Sequence, residues 1–241
     1  MKIKIKLYTL TIFVTFICVL NTFAQQKVEF YMGYSESFRA LSYDKSDTGL
    51  QNIITLSADD AKVRSINGGI RYRIFDKKHL SFKTGIEVNA LGFMDKVITN
   101  LRWPSEITPE GYVPDPTLPR RYLSGRKFIY IDLPLAIELK KSWGNWTPNI
   151  QLELVPQYLI SVKHIKTLDI GTVTDFKKPD KNIHRFNLAA GLSLGTYYHI
   201  NDTCALMING YYRRQLLGIV DAPITATLYA FGCNAGISFN L

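Results

Sequence analysis

Apolar and polar residues alternate with a period of two through the last stretch of the chain, 227–241. From Tyr229 onward the odd positions of this stretch are apolar, and the even positions are small or polar apart from Leu228. A period of two predicts a β-strand, and this one exceeds the usual length of roughly five or six residues. Long strands with one apolar and one polar face are typical of a membrane-spanning barrel, which has lipid outside and a polar lumen inside.

Seven further segments alternate in the same way. The eight predicted strands cover 27–40, 63–75, 80–93, 127–141, 148–163, 184–198, 204–216 and 227–241. Short and long connections alternate between them, as in outer-membrane barrels with short periplasmic turns and long external loops. The predicted fold class is all-β: an eight-stranded antiparallel up-and-down transmembrane β-barrel, in which the last strand pairs with the first.

The fourth and fifth segments carry more local predictions. Pro134 has no N–H to donate, so we expect a break in the strand ladder there. In the fifth segment the alternation places Val162 toward lipid and Lys163 in the lumen. Trp143 and Trp146 lie in the turn between the two segments. Aromatic residues gather at membrane interfaces, which favours that position for both rings, although an ordinary hydrophobic turn is the alternative.

The N-terminus has the features of a secretory signal peptide. A basic start and an uncharged apolar run, 7–20, are followed by small residues that predict cleavage after Ala24. The run is shorter than the roughly 20 residues that a transmembrane anchor needs. The chain therefore divides into a signal peptide, 1–24, and one barrel domain, 25–241, and the mature protein is predicted in the cell outer membrane.

Composition narrows the function classes. The net charge of +9 is modest and partly belongs to the signal peptide, so we predict no nucleic-acid partner. Cys204 and Cys233 remain in the mature chain, and both fall on lipid-facing positions, where they are better explained as small apolar residues than as a disulfide. The sequence has no glycine-rich phosphate loop, Cys-x-x-Cys or His-Glu-x-x-His run. It therefore predicts no cofactor, no metal and no catalytic residue.

The polar faces of the predicted strands carry charges of both signs. An eight-stranded barrel has an interior that its own side chains fill, and buried charges must be paired. We therefore expect a lumenal salt-bridge network, which argues against an open pore; a narrow gated ion path is the alternative. The predicted network consists of Glu29, Arg71, Arg73, Lys83, Glu87, Asp132, Glu138, Glu153, Arg185 and Arg213.

The second long connection, 94–126, is rich in proline and contains Trp103 and the pair Arg120-Arg121. An irregular loop of this length is usually functional or disordered. It predicts either a surface for a partner or a solvated cap over the barrel mouth.

Three alternative functions remain open at this point. His164 and His184 flank the third long loop with Ser161 nearby, which suggests an enzyme acting on outer-membrane lipid, although nothing fixes a nucleophile–base geometry. A small passive channel is the second alternative. A soluble lipocalin-like ligand carrier is the third, and it requires the apolar faces to point inward.

The segment 128–140 reads FIYIDLPLAIELK. With Tyr130, Pro134 and Leu135 it resembles the Tyr-x-x-x-Pro-Leu fourth strand of PorT-like proteins, a family of small outer-membrane β-barrel domains. The resemblance covers 27–241. It implies an eight-stranded outer-membrane barrel, and some family members take part in a secretion machinery. The family supplies no catalytic residues.

We therefore predict a non-enzymatic integral outer-membrane barrel. It would act as a scaffold, or as a secretion-associated or surface-interaction component, through its external loops. The predicted partners are outer-membrane lipid, the barrel assembly machinery and, at the external loops, secretion-system proteins. The end of the chain carries the predicted assembly signal, Ile237, Phe239 and Leu241.

Overall fold

A computed structural model describes most of the predicted barrel domain. The described residues are 27–43, 62–95, 97–99, 102–108, 111–168, 171–177, 179, 182–220 and 224–240. The predicted signal peptide, its cleavage site at Ala24 and the terminal Leu241 lie outside them. Within the described ranges, no helix has the length and apolar character needed to cross a membrane.

Strands make up nearly all of the regular structure. In chain order they are β1 Lys27–Tyr43, β2 Val63–Asp76, β3 Leu80–Met94, β4 Ile107–Thr108, β5 Gly111–Tyr112, β6 Tyr122–Asp132, β7 Leu135–Lys140, β8 Trp146–Leu168, β9 Gly171–Lys177, β10 Phe186–His199, β11 Cys204–Gln215 and β12 Ile224–Asn240. A short 3-10 helix, Pro104–Glu106, precedes β4.

The long strands close into a ring of antiparallel pairs. From β1 the order runs through β2 and β3 to β6 and β7, then through β8, β10 and β11 to β12. The ring closes where β12 pairs with β1, from Lys27 opposite Asn240 to Tyr43 opposite Ile224. Because β6 and β7 both lie between β3 and β8, they are two halves of one barrel strand. The chain is an eight-stranded antiparallel up-and-down barrel, as predicted.

The break between β6 and β7 falls at Pro134, where the sequence predicts it. The strand pauses at Leu133 and Pro134 and resumes at Leu135. The N–H of Leu133 still donates to the carbonyl of Pro156 on β8, at 2.9 Å. The ladder is therefore interrupted only where proline cannot donate.

Three short turns lie at one end of the barrel, called the turn end, together with Lys27 and Asn240. They comprise residues 77–79, 141–145 and 200–203. In the second turn, Gly144 adopts a φ of 57°, a left-handed conformation that favours glycine. In the third, the side chain of Asn201 accepts hydrogen bonds from the N–H groups of Thr203 and Cys204 at 3.0 and 2.8 Å. The opposite end, called the loop end, carries the longer connections.

Aromatic rings cluster at the turn end, and their position at a membrane interface stays a prediction. Trp143 and Trp146 are both exposed, and they face each other across the second turn. The ring of Trp146 also packs against Tyr198 of β10, with 4.8 Å between centroids. Such rings suit the boundary between hydrocarbon and water.

The outer wall of the barrel is apolar. Large side chains point away from the lumen on neighbouring strands, and Met32, Ile66 and Leu152 have exposed fractions of 68%, 69% and 61%. The polar residues that alternate with them are buried inside. This is the arrangement of a transmembrane barrel, and it is the reverse of what a soluble lipocalin-like carrier requires.

The predicted faces of the fifth segment are wrong beyond residue 160. A bulge in the pairing of β6 with β8, between Ile129 and Tyr130, adds one residue to β8 and reverses its faces. Val162 is therefore buried in the lumen, at 1% exposure. Lys163 is only partly buried, and its ammonium group lies 5.0 Å from the ring centroid of Phe176 on β9. The strand continues to Leu168, past its predicted end.

Candidate functional site

The lumen contains two tiers of buried ionic groups. The lower tier, nearer the turn end, joins Glu29, Arg73, Lys83, Glu138 and the hydroxyl of Tyr197. Arg73 lies 2.8 Å from Glu29, and Lys83 lies 3.2 Å from the same carboxylate. Lys83 also pairs directly with Glu138, and the Tyr197 hydroxyl lies 2.8 Å from that carboxylate. Two cations thus share two carboxylates, with a phenol between them.

The upper tier is built around two arginines. Arg71 lies 2.8 Å from Glu153 and 3.3 Å from Glu87. Arg213 lies 2.9 Å from Glu153 and 3.0 Å from Asp132, and it pairs directly with Glu87. Each arginine therefore bridges carboxylates from different strands, which ties the wall together across the lumen.

Amide side chains continue the polar filling above the ionic tiers. Gln157 donates to both carboxylate oxygens of Asp132, at 2.9 and 3.0 Å. Gln215 donates to the carbonyl oxygen of Gln157 at 3.1 Å and accepts from the N–H of Leu228 at 3.2 Å. This chain of bonds satisfies groups that would otherwise be buried without partners.

Nine of the ten residues predicted for the lumenal network lie in these tiers, each buried. Arg185 does not, and its prediction is wrong. It is exposed and precedes the first residue of β10, whose inward-facing positions begin at Asn187. At the loop end the guanidinium remains in water, so nothing forces it into the lumen.

An apolar cluster fills the lumen at the loop end, which the sequence did not predict. Its members are Leu91, Phe93, Phe128, Tyr130, Leu159, Val162, Ile183, Ile219, Leu228 and Ala230. Ile183 and Ile219 come from connections that fold inward, where strand alternation gives no signal. Leu228, the single large apolar residue on the polar face of the last segment, was one sequence clue, and it is fully buried.

The ionic tiers, the amides and the apolar cluster together fill the described lumen from the lower tier to the loop end. Packing of this kind leaves side chains rather than water along the barrel axis. The loops therefore carry the exposed surface that is available for contact with other proteins.

The loop between β3 and β6, residues 95–121, is called loop 2. Glu106 is its centre and is 2% exposed. Its carboxylate pairs with the guanidinium of Arg120 and accepts hydrogen bonds from the N–H groups of Trp103 and Asp115, at 2.9 and 2.7 Å. The indole N–H of Trp103 donates to the carbonyl of Pro119 at 2.9 Å. Loop 2 therefore has its own internal framework.

Hydrogen bonding sets the electrostatics of this framework. The bond from Arg120, helped by the two backbone N–H groups, lowers the pKa of Glu106 from 4.5 to about 2. Glu106 in turn raises the pKa of Arg120. Both groups therefore stay charged across the physiological range.

The outer surface of loop 2 is apolar. Ile107 and Val113 have exposed fractions of 67% and 60%, and Ile98 is half exposed. Arg102 lies over the ring of Tyr112, 4.8 Å from its centroid. We call these five residues the loop 2 face. Exposed apolar side chains on an ordered loop are typical of a contact surface.

Of the residues behind the lipid-enzyme alternative, Ser161 and His164 lie on β8 and His184 lies just before β10. The ring Nδ1 of His184 lies 3.0 Å from the carbonyl of Gly218. His164 lies on β8, opposite Arg126 of β6 and Asp175 of β9. Ser161 stands opposite Ile129. A lipid-modifying activity stays an untested alternative.

The remaining predicted residues lie on the last two strands. Ile237 and Phe239 point outward from β12, each 38% exposed, whereas Leu241 lies outside the described residues. Cys204 is partly buried and Cys233 is exposed, and both are free thiols. Among the described residues, no group of histidine, cysteine and acidic side chains could hold a metal ion.

Comparison with known proteins gives structural likeness without sequence likeness. No family model matches the chain, and no curated protein matches it. The crystal structure of Neisserial surface protein A is similar at a TM-score of 0.40 and 10% identity, over 88% of this chain and 97% of that one. The outer-membrane protease OmpT of Escherichia coli is similar at 0.44 and 9% identity, over 90% and 97%.

A third crystal structure, that of the outer-membrane protein OprG from Pseudomonas aeruginosa, is similar at a TM-score of 0.44 and 7% identity, over 90% of this chain and 96% of that one. All three are proteins of the bacterial surface or outer membrane by their names. The class of this chain, a transmembrane β-barrel, rests on its own strand pairing and its apolar outer wall.

Proposed function

We propose that this chain is an integral outer-membrane protein that does not conduct, and that it presents loop 2 to another protein of the cell envelope. The observation that carries the proposal is the contrast between a lumen filled with side chains and an ordered loop with an apolar surface. A barrel built as a pore would keep a water-filled lumen. A barrel built as a support needs a rigid wall and an accessible loop.

The location follows from the same features. The apolar wall suits hydrocarbon, and the short turns and long loops suit a barrel whose loop end faces outward. The N-terminal signal peptide would deliver the chain for export, with cleavage near Ala24. Ile237, Phe239 and Leu241 would then be recognised by the barrel assembly machinery. Recovery of the protein in the outer-membrane fraction, with Gln25 as its first residue, tests this step.

The partner class is argued from the loop 2 face. Ile107 and Val113 would bury their exposed surface against an apolar patch, while Arg102 and Tyr112 would supply the polar rim common in protein interfaces. The resemblance of 128–140 to the fourth strand of PorT-like proteins supports a secretion-associated partner. That segment contains the end of β6 and all of β7, the barrel strand that follows loop 2.

Site-specific photocrosslinking in intact cells tests the partner. A photoreactive residue at Ile107 should form a defined adduct with one envelope protein. The same residue at Val173, an exposed position on β9 outside loop 2, is the matched control and should not form that adduct. The double variant Ile107→Ser/Val113→Ser should then lower co-purification of the adduct protein. Equal crosslinking from both positions, or none from Ile107, would refute the proposal.

A further inference from the structure

A cavity of about 240 Å³ opens into the lumen at the turn end, below the lower ionic tier. Its wall is strongly basic. Among the described residues that line it, five are cationic and Asp76 is the single carboxylate; the cations are Lys27, Arg73, Lys77, Lys78 and Lys140. The cavity lies inside the barrel mouth, because its walls include the inward-facing Tyr197 and Ser238.

Arg73 is already paired with Glu29 of the lower tier, and the four lysines that remain carry more positive charge than Asp76 can balance. Asp76 is shared by Lys27 at 3.1 Å, by Arg73 at 3.4 Å and by Lys140 in direct contact. Lys77 and Lys78 stand exposed on the adjoining turn. A concave surface with one sign of charge concentrates ions of the opposite sign.

The rest of the wall offers polar groups suited to an oxyanion. The hydroxyl of Thr147 lies 3.1 Å from Ser142 Oγ and 3.1 Å from His199 Nε2. Thr203 and Asn240 add a hydroxyl and an amide to the lining. Hydroxyl and amide N–H groups can donate hydrogen bonds to the oxygens of an anion.

We propose that this cavity is a binding site for the phosphate group of a soluble compound. A phosphate carries up to two negative charges and several acceptor oxygens, so it matches an excess of cations better than a singly charged carboxylate does. The site faces the barrel mouth rather than the lipid wall, which favours a soluble phosphate over a lipid headgroup. It lies at the opposite end from loop 2 and does not depend on the proposed partner.

Calorimetric titration of the detergent-solubilised mature protein tests the site. Sodium phosphate should give saturable binding that sodium chloride of matched ionic strength does not. The double variant Lys27→Gln/Lys140→Gln should lower phosphate affinity about tenfold or more. The variant Lys77→Gln/Lys78→Gln, which leaves the lumen untouched, should also weaken binding. Lys141→Gln is the matched control, because this exposed lysine lies over the ring of Trp143 and does not line the cavity.

Lack of saturable binding by the unaltered protein would overturn the proposal. So would phosphate affinities in both double variants equal to that of the Lys141→Gln control. A parallel titration with phosphatidylglycerol in mixed micelles distinguishes a soluble phosphate compound from a lipid headgroup as the ligand. Saturable binding of that lipid, lost in the double variants, without binding of free phosphate, would overturn the soluble source. None of these results bears on crosslinking from Ile107.

Discussion

At the scale of single residues, the lumen depends on charges that share partners. Arg213 reaches three carboxylates, and each of these is buried. The desolvation of such groups is costly, and their mutual attraction offsets it only while the set is complete. Loss of one cation should therefore cost more than the loss of one contact.

The substitution Arg213→Met tests this dependence. It leaves Glu87, Glu153 and Asp132 with less positive charge beside them, so we expect a loss of about 3–5 kcal/mol in the free energy of unfolding. Denaturant unfolding of the refolded protein in detergent, followed by tryptophan fluorescence, measures the change.

The neighbouring Arg214 provides the control, because it lies on the outward face of β11 and is exposed. Arg214→Gln should change the free energy of unfolding by no more than about 0.5 kcal/mol. Equal losses for both variants would contradict a special role for the lumenal charges.

Glycines on the inner wall make room for the same network. A Cβ added at Gly85 would lie 2.8 Å from the Cα of Arg71 and 2.2 Å from the carbonyl oxygen of Ile70. Both atoms belong to the backbone and cannot easily move. The inner position of Gly85 therefore lets β2 and β3 approach beside Arg71.

We predict that Gly85→Ala lowers the free energy of unfolding by about 1–3 kcal/mol. Gly210→Ala is the matched strand-glycine control, since its nearest atom would be 4.0 Å away, and it should be tolerated. The same denaturant assay measures both variants. If the Gly85→Ala variant is as stable as the unaltered protein, the barrel wall can adjust to the added Cβ, which would contradict the prediction.

At the scale of elements, alternation predicted the barrel strands and most of their faces. Each strand has an inner polar and an outer apolar face, and a period of two records that difference directly. Pro134 marked the break because a missing N–H has a local effect. The turn at Asn201 is also fixed locally, because its side chain accepts hydrogen bonds from the N–H groups of Thr203 and Cys204.

The faces that were predicted wrongly have non-local causes. The inversion at Val162 comes from a bulge in the pairing of β6 with β8, which no residue type announces. Ile183 and Ile219 fold into the lumen from connections without regular alternation. Arg185 stays outside because the strand begins two residues later than predicted. Contacts across the barrel, rather than neighbours along the chain, decide all four positions.

Loop 2 shows the same limit at a functional element. Its prolines and length indicated that it matters, but not that Glu106 would be its centre. The carboxylate accepts hydrogen bonds from Asp115 and Arg120, nine and fourteen residues further along, and from Trp103, three residues earlier. No short motif contains that arrangement.

The order of loop 2 should depend on pH. Glu106 has a lowered pKa of about 2 against an ordinary value of 4.5. Its contribution to loop stability is therefore complete above about pH 4.5 and is lost as the pH falls toward about 2. Fluorescence of Trp103, in a Trp143→Phe/Trp146→Phe background, should report the transition.

The variant Glu106→Gln provides the control for that titration. It cannot ionise, so the acid transition should disappear and the loop should be less ordered at neutral pH as well. An acid transition of unchanged size in this variant would assign the pH dependence to another group.

At the scale of the whole molecule, the parts that hold the barrel together differ from the parts that can contact other molecules. The outer wall meets lipid, the lumen holds the wall together, and the loops and turn-end cavity face water. A partner at loop 2 and a phosphate at the turn end would engage opposite ends of one rigid barrel. The account therefore depends most on the lumen being filled.

Ion conductance of the refolded mature protein in a planar bilayer tests that claim directly. Because side chains fill an eight-stranded barrel, we predict no stepwise conductance. The charges of the lower and upper tiers should therefore support no ion current. A heat-modifiable folded band on gel electrophoresis confirms that the sample in the bilayer is the folded barrel. Reproducible conductance steps from such a sample, altered by Arg213→Met, would contradict the account.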